Sequence, residues 1–487
     1  MGVPISKRNR QKTVVSGGKQ PSRPIVLGVL ASILGGCAAD ITPSPRSAVA
    51  PLPEIALADG PALWPREEWW KDYGSAELDA FVAEALQSNT DIQTALARVE
   101  QARGRARSAG ALLFPAIGLE GSATRSDSNR SPASERFGLD LVASYEADLW
   151  GRYRADRDAA RFSLLASRFD HQASRLIVIS DVVLNYAALM TIRERQAIGR
   201  LNLSAAQRLL ARVEAMDRVG MALVGDLASQ RALVAGAKGD LALLDQAEAE
   251  LRAALALLLG RPAQDFTVSG LGIDALASLP RVSPGLSSEL LLRRPDIAAA
   301  EAGLAAASAD LRSARAAMLP RITLTASGGV EGGTSPSAAL YNLLAGLTQP
   351  LIDHGRLAGA RDTAEGLRLE REAAYRGSIL VALSEVERDL KAIASLDRAV
   401  AELATQVAEA VKALDAAEAR HRVGVEEIIV SLDAQRTLYA ARDRLAQIKG
   451  SRLAWTISLQ RTLGGGWSRE GTDLSSILRP AGENTMR

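Results

Sequence analysis

This 487-residue chain has few of the side chains that most often bind metals or act as nucleophiles, and their spacing does not indicate an active site. The three histidines, His171, His354 and His421, have no companion at metal-ligand spacing. The only cysteine is Cys37, so neither a disulfide nor a cysteine-based metal site is available. The sequence also indicates no pair of a nucleophile and a general base that could act together in catalysis. The sequence therefore predicts a protein that is not an enzyme and holds no metal or dissociable cofactor.

Two other patterns suggest binding chemistry but have simpler explanations. The glycine-rich residues 328–333 lack the Lys and Ser or Thr of a phosphate loop, and we expect them to form a loop between strands. Arg293 and Arg294 could attract an anion, but Pro followed by Asp at positions 295 and 296 is more simply explained as the start of a helix.

Cys37 is a candidate for covalent lipid attachment, because it directly follows a leader segment. Residues 1–36 combine six basic side chains with an apolar run from Pro24 to Leu34, which is shorter than the roughly 20 residues that span a bilayer. The Leu-Gly-Gly-Cys sequence ending at Cys37 resembles the lipobox of bacterial lipoproteins. That resemblance implies removal of the leader and a covalent lipid on Cys37, with N-palmitoyl and S-diacylglycerol groups. An ordinary secretory signal with an incidental cysteine is the alternative.

The leader also explains the basic character of the chain. The whole sequence has a formal charge of +2, and the leader carries six cations and no acid, so the mature chain is at −4. No basic stripe remains to suggest nucleic-acid binding. Residues 37–61 are rich in Pro, Ala and Ser, and we expect a lipidated tether there. Ala38 is not the Asp associated with inner-membrane retention, which favours the outer membrane.

The elements that must position any functional residues occur twice. Asp91-Ile92 recurs as Asp296-Ile297, and Arg218-Val219-Gly220 recurs as Arg422-Val423-Gly424, at an offset of 204 or 205 residues. A steady offset of this length indicates a duplicated structural unit. We place the first repeat at 62–275, the second at 276–466 and a C-terminal tail at 467–487.

Each repeat contains a strand segment followed by a long helical segment. Proline-free tracts rich in Ala, Leu, Arg and Glu predict helical hairpins at about 152–260 and 356–463, each reversing at a Val-Gly turn. Alternating apolar and polar residues predict two strands at about 115–147, separated by a polar loop at 125–135, and two more at about 320–349. Four such strands have the pattern of a transmembrane barrel but cannot close one, since the smallest known have eight. The chain is therefore expected to oligomerise.

Several motifs together resemble one family. They are Trp69-Trp70, Leu113-Phe114-Pro115, residues 145–152, residues 291–297, residues 349–356 and residues 432–436. This set resembles the TolC-like outer membrane efflux proteins of the lipoprotein NodT/OprM type, and the resemblance covers essentially all the mature chain. It implies an α+β membrane protein that forms a homotrimer, with a 12-stranded outer-membrane β-barrel continuing into a 12-helix periplasmic α-barrel. It further implies an exit duct in the outer membrane of a Gram-negative bacterium, joined to a periplasmic adaptor protein and an inner-membrane transporter of the resistance-nodulation-division (RND) class.

The resemblance also assigns functional residues. The two Val-Gly turns, Val219-Gly220 and Val423-Gly424, correspond to the family's adaptor-docking tips, although glycine is also what a tight turn requires. Ile429 and Asp433 correspond to residues that face the axis at the closed periplasmic end, with Arg422 as a lock residue and Arg436 beside them. His421 departs from the Tyr common at its position. A solvated ion pair is the alternative for Asp433 and Arg436.

Two other functions remain open from sequence. The chain could be the duct of a type I protein-secretion system, which belongs to the same class of channel. It could instead be a non-conducting, lipid-anchored periplasmic coiled coil whose period-two segments form a small soluble sheet. The sequence predicts a passive, gated duct for small molecules such as drugs, toxic compounds or metals, and it does not name the cargo.

Overall fold

The computed structural model describes residues 64–128, 131–220, 224–270, 272–273, 276, 287–333, 338–467 and 469. Cys37, the leader, the tether and most of the C-terminal tail lie outside these described residues. A short 3-10 helix at Trp69–Tyr73 precedes the main elements. In chain order these are α1 (Ala76–Ser88), α2 (Thr90–Ala111), β1 (Ala116–Ser128), β2 (Ser131–Ala147), α3 (Arg152–Arg218), α4 (Val224–Leu258), α5 (Ser287–Arg293), α6 (Pro295–Ala316), β3 (Arg321–Gly333), β4 (Ala338–Thr348), α7 (Arg356–Arg422) and α8 (Ile428–Thr462).

The duplication predicted from sequence is confirmed in the order and length of the elements. Helices α2 and α6 have 22 residues each, α3 and α7 have 67 each, and α4 and α8 have 35 each. A helix of 67 residues is about 100 Å long at 1.5 Å per residue. Each half of the chain is thus a two-stranded segment followed by one long helical hairpin, as the proline-free tracts indicated.

Short polar signals fix where the long helices begin. Gly151 and Gly355 precede α3 and α7 with φ of 75° and 86°, a left-handed conformation that favours glycine. Just before them, Asp148 accepts a hydrogen bond from the Tyr153 amide at 3.1 Å, and Asp353 accepts one from the Leu357 amide at 2.9 Å. These carboxylates satisfy amides that a helix start leaves without partners. The helix start predicted at Pro295 is also confirmed, with Pro295 as the first residue of α6.

Helix α3 is the centre of the packing, contacting α1, α2, α4, α6 and α8. It carries a stretch long and apolar enough to cross a membrane, and half of that stretch is buried in the fold. The N-terminal segment covers part of α3, because Trp69, Tyr73 and Leu78 are each 1% exposed and belong to the same core as Val182 and Leu189. A second, smaller core in the other half joins α6, α7 and α8 around Ile297, Ile379, Val386 and Leu459.

The four strands form one antiparallel sheet in the order β1-β2-β3-β4. The β2–β3 pairing joins the two repeats, with Tyr145 opposite Leu324 and Leu139 opposite Val330. Two boundaries predicted from sequence were wrong. The polar residues 125–128 and 131–135 extend the β1–β2 ladder, with Arg125 opposite Glu135, and residues 328–333 belong to β3. Polar and glycine residues can pair in a ladder because its hydrogen bonds come from the backbone, so side-chain polarity alone did not mark the strand ends.

Candidate functional site

One face of the sheet is continuously apolar across all four strands. The registers place Leu119 opposite Leu141, Ala143 opposite Ala326, and Ala326 opposite Leu343. The large side chains on this face are exposed in the single chain, with Leu119 at 67% and Leu343 at 79% exposure. An exposed apolar surface of this extent is unstable in water and indicates contact with another molecule or with lipid. The strand lengths of 11 to 17 residues match those that cross an outer membrane as tilted strands.

The opposite face of the sheet is mostly polar. Glu120 lies opposite Asp140 across β1 and β2, and the Glu331 carboxylate on β3 lies 3.5 Å from the Arg136 guanidinium. Apolar residues on one face and polar residues on the other are the arrangement expected of a wall between lipid and a water-filled lumen. Strands β1 and β4 are the sheet edges, so the wall of one chain is incomplete.

The second hairpin reverses at a Schellman turn. The Gly424 amide donates to the His421 carbonyl at 3.0 Å, the Val425 amide donates to the Arg420 carbonyl at 3.1 Å, and Gly424 has φ of 76°. The His421 imidazole Nδ1 lies 3.0 Å from the Glu426 carbonyl oxygen, within the same turn. Val423, the last residue before the glycine, is 72% exposed. The turn therefore presents an apolar side chain to solvent from a backbone fixed by two hydrogen bonds.

The first hairpin tip repeats this arrangement as far as the structure describes it. Gly220 has φ of 71° and its amide donates to the Asp217 carbonyl at 2.9 Å, while Val219 is 69% exposed. Among the described residues, and apart from its chain neighbours, no atom would lie within 4 Å of a Cβ added to Gly220 or Gly424. The described part of each tip therefore leaves room for a side chain, and glycine is favoured there by its left-handed backbone.

The predicted gate residues lie beside the second tip. Arg422 is the last residue of α7 and is exposed, and Ile429 is half-buried in the first turn of α8. The Asp433 carboxylate lies 3.7 Å from the Arg436 guanidinium, with both side chains largely exposed. The structure brings these four residues to one end of the second hairpin. A ring of three Asp433 side chains concerns the assembly and stays a prediction.

The sequence pattern did not predict a buried hydrogen bond between the two helices of the first hairpin. Gln230 is fully buried, and its Nε2 donates to the Ala206 carbonyl of α3 at 2.6 Å. Its repeat counterpart, Gln435, has a buried Nε2 without a hydrogen-bond partner among the described residues. A Gln inside an otherwise apolar helix face was the available signal, since buried amides are normally bonded. The two hairpins thus have a glutamine at the same repeat position, but among the described residues only the Gln230 Nε2 has a hydrogen-bond partner.

A second set of hydrogen bonds holds the segment after α4, and it is centred on Glu77. The Glu77 carboxylate accepts hydrogen bonds from the Ser269 amide at 2.6 Å, the Gly270 amide at 3.1 Å and the Tyr186 hydroxyl at 3.0 Å. Burial acts to raise the pKa of Glu77, but the bonds from Ser269, Tyr186 and Gly270 outweigh it and the pKa is lowered. Glu77 is thereby an ionised clamp between α1, α3 and the start of the connection to the second half.

Metal chemistry gains no support from these positions. Within the described ranges no group of three His, Cys, Asp or Glu side chains is placed to hold a metal ion. The features that the described elements place at the surface are the two-faced strand wall and the two hairpin tips.

Comparison with known proteins shows the family to which the chain belongs. The model of the outer membrane efflux protein family matches residues 81–261 and 286–465, one match for each repeat. The chain is 41% identical to the pyoverdine export outer membrane protein OpmQ of Pseudomonas putida, over 83% of this chain and 89% of OpmQ. It is 37% identical to OpmQ of Pseudomonas aeruginosa, over 91% and 97% of the two chains. The open-state crystal structure of the Neisseria gonorrhoeae MtrE outer membrane channel superposes with a TM-score of 0.80 at 28% identity, covering 88% of this chain and 99% of that one. The resemblance inferred from sequence is thus confirmed, and the chain belongs to the outer membrane efflux protein family.

Proposed function

We propose that three copies of this chain form the gated outer-membrane exit duct of a tripartite efflux pump, which conducts small molecules passively from the periplasm to the outside. The observation that supports this function is the sheet, which has one apolar face, an opposite face that is mostly polar, and two open edges, as expected of a segment of a barrel wall. Three four-stranded sheets supply twelve strands. The proteins that the chain resembles are channels rather than enzymes, and they lie in the outer membranes of Gram-negative bacteria.

The partners we propose are a periplasmic adaptor protein and an inner-membrane transporter of the RND class. The adaptor would dock on Val219-Gly220 and Val423-Gly424, and support comes from the exposed valine and the fixed turn at each tip. Replacing Gly220 or Gly424 with Trp should abolish efflux while trimers persist in the membrane, because the change adds bulk to an open tip. Ala401→Trp, on the exposed side of α7, is the matched control, because it adds the same indole away from the tips. Efflux that survives both tip substitutions would contradict docking there.

The gate we propose lies at the periplasmic end of the second hairpin. Three copies of Ile429 and Asp433 would form an apolar ring and an acidic ring around the axis, and Arg422 and Arg436 would hold neighbouring helices in the closed arrangement. The exposure of Asp433 and Arg422 in the single chain supports this assignment, because both side chains are accessible to a second copy.

The anchor we propose is a lipid on Cys37, with N-palmitoyl and S-diacylglycerol groups, and its support is the Leu34–Cys37 motif. Labelled palmitate should enter the wild-type chain and not Cys37→Ser; incorporation into the variant would exclude the site. For the cargo, the OpmQ relatives favour a molecule of the pyoverdine class. That proposal would be contradicted if deletion of the gene left secretion of such molecules unchanged.

The conducting function has a direct test. Purified protein in detergent should migrate as a heat-stable trimer, and planar bilayers containing it should show discrete single-channel conductance. A trimer without conductance in either the wild type or gate variants would favour the non-conducting scaffold. Rescue of a secreted polypeptide, rather than of drug resistance, in a deletion strain would favour the type I secretion duct.

A further inference from the structure

The two helical hairpins of one chain meet where α3 of the first runs beside α8 of the second. On α3 the residues that meet α8 are Thr191, Arg195 and Gly199, which recur at every fourth position and so lie on one face of the helix. A Cβ on Gly450 of α8 would overlap the Thr191 side chain, and a Cβ on Gly199 would lie 4.0 Å from the Tyr439 hydroxyl. The two helices therefore stay in contact from Gly450 to Tyr439, in the direction of the hairpin tips.

A two-pronged ion pair lies in the middle of this contact. Arg195 Nε donates to Asp443 Oδ1 at 2.7 Å, and Arg195 Nη2 donates to Asp443 Oδ2 at 3.2 Å. Gln447, one turn further along α8, donates from Nε2 to the same Oδ2 at 2.7 Å. The Arg195 side chain is 24% exposed and the Asp443 side chain 18%, so the pair is partly shielded from water. This geometry and shielding make it a stronger contact than a solvated surface pair. We call Arg195, Asp443 and Gln447 the hairpin latch.

The latch lies between a fixed end of α8 and the end that carries the gate residues. At the fixed end, Asp389 of α7 is fully buried and accepts hydrogen bonds from Ser458 at 2.9 Å and from Thr462 at 3.3 Å. In the other direction, Asp433 lies about 15 Å beyond Asp443 along the helix axis. A helix is nearly straight over that length, so a displacement of α8 at Asp443 also moves Asp433.

The internal duplication does not repeat the latch. The offset of 204 residues that relates α3 to α7 places Ala399 at the position of Arg195. Alanine cannot pair with a carboxylate, so the second repeat forms its hairpin without this ion pair. The latch is therefore not a requirement of the hairpin architecture. It occurs at the contact that positions α8, which is the helix that carries Ile429 and Asp433.

We propose that the hairpin latch is a second restraint on opening of the duct, separate from the gate residues at the tip. The inference rests on the proposed gated duct and names the residues that hold the second hairpin against the first. While the latch is closed, α8 cannot leave α3 without separating two charges and taking the Asp443 carboxylate away from its Arg195 and Gln447 donors. When it opens, α8 pivots about its fixed end and the gate residues move with it. Arg195 and Asp443 are thus positioning residues, which act on the gate through α8.

Charge reversal tests the latch with purified full-length trimers in planar bilayers. Arg195→Asp and Asp443→Arg each bring like charges together, so each should raise the single-channel conductance by about threefold or more. The two substitutions combined restore an opposite pair across the same contact and should return the conductance to the wild-type level. Asp397→Arg is the matched control, because Asp397 pairs with Arg452 between α7 and α8 of the same hairpin. It should leave the conductance unchanged.

A covalent bridge supplies a second measurement. Arg195→Cys combined with Asp443→Cys should show raised conductance until a short bismaleimide joins the two thiols, and the bridge should then return the conductance to the wild-type level and block efflux. The bridged product should keep the size of one chain on a denaturing gel, because both residues belong to the same chain. Wild type treated with the reagent controls for Cys37. If a charge reversal prevents trimer formation, Asp443→Asn takes its place, because it keeps the size of the side chain and an acceptor for Gln447.

The outcomes separate the latch from the function on which it rests. Conducting trimers whose conductance is unchanged by the latch variants, or is raised equally by Asp397→Arg, would overturn the latch and leave the duct intact. A raised conductance that neither the combined reversal nor the covalent bridge lowers would overturn it as well. Trimers that do not conduct as wild type or as any latch variant would overturn the duct and the latch together.

Discussion

At the scale of single residues, glycines at helix ends serve two different needs. Gly220 and Gly424 reverse the hairpins in open space, so only their left-handed backbone requires glycine. Gly260 and Gly464, which follow α4 and α8, are also left-handed but lie against backbone. A Cβ on Gly260 would meet the Ser88 carbonyl oxygen at 2.6 Å, and one on Gly464 would meet the Arg293 carbonyl. Both repeats thus close the end of the hairpin against the segment just before α2 or α6.

This difference predicts unequal effects of the same substitution. Gly424→Ala should destabilise the trimer by about 1–2 kcal/mol, the cost of a left-handed non-glycine residue. Gly464→Ala should cost more, because its methyl group also displaces backbone that Arg294 holds through its bonds to Asp296 and Glu385. Thermal dissociation of purified trimers measures both. Equal midpoints for the two variants would mean that the backbone at Arg293 shifts without cost.

At the scale of elements, the sequence predicted the helices more closely than the strands. Helices α3 and α7 begin at Arg152 and Arg356 and end at Arg218 and Arg422, at the glycines that mark both boundaries in the sequence. The strand segments were found from their alternation, but their polar ends were mistaken for loops because backbone pairing continues there without an apolar face. The Gln230 and Glu77 ties depend on which helices meet, which no local pattern specifies.

The Glu77 clamp makes the connection after α4 sensitive to acid. Because the folded-state pKa of Glu77 is lowered from its ordinary value of 4.5, its stabilisation is fully present above that value and is lost as the pH falls through the lower folded-state pKa. Hydrogen exchange of the Ser269 and Gly270 amides should therefore rise, relative to the intrinsic rate, between about pH 6 and about pH 3. Glu77→Gln should show raised exchange at both pH values, whereas Glu67→Gln, an exposed control, should behave as wild type. Wild-type exchange that does not respond to pH would exclude the clamp.

At the scale of the whole molecule, the duplication gives the chain two similar halves, which contact each other through β2 with β3 and through α3 with α6. The resemblance and the fold class were accessible from sequence because the repeat period, the glycine turns and the strand alternation are local or periodic signals. The gate stays a prediction that rests on family correspondence alone, since a ring around an axis is a property of three chains and not of one.

The proposed gate predicts the ion selectivity and the conductance of the trimer. Three Asp433 carboxylates around a narrow axis would repel one another and attract cations, so the closed duct should have a low, cation-selective conductance. Asp433→Asn keeps the size of the side chain and removes its charge, and it should reduce that selectivity. Arg422→Ala should instead raise the conductance by removing a restraint between helices, with little change in selectivity. Planar-bilayer reversal potentials under a salt gradient separate the two effects. If Asp433→Asn leaves the reversal potential unchanged, Asp433 does not line the constriction, and its 3.7 Å contact with Arg436 is only a solvated ion pair on the surface of α8.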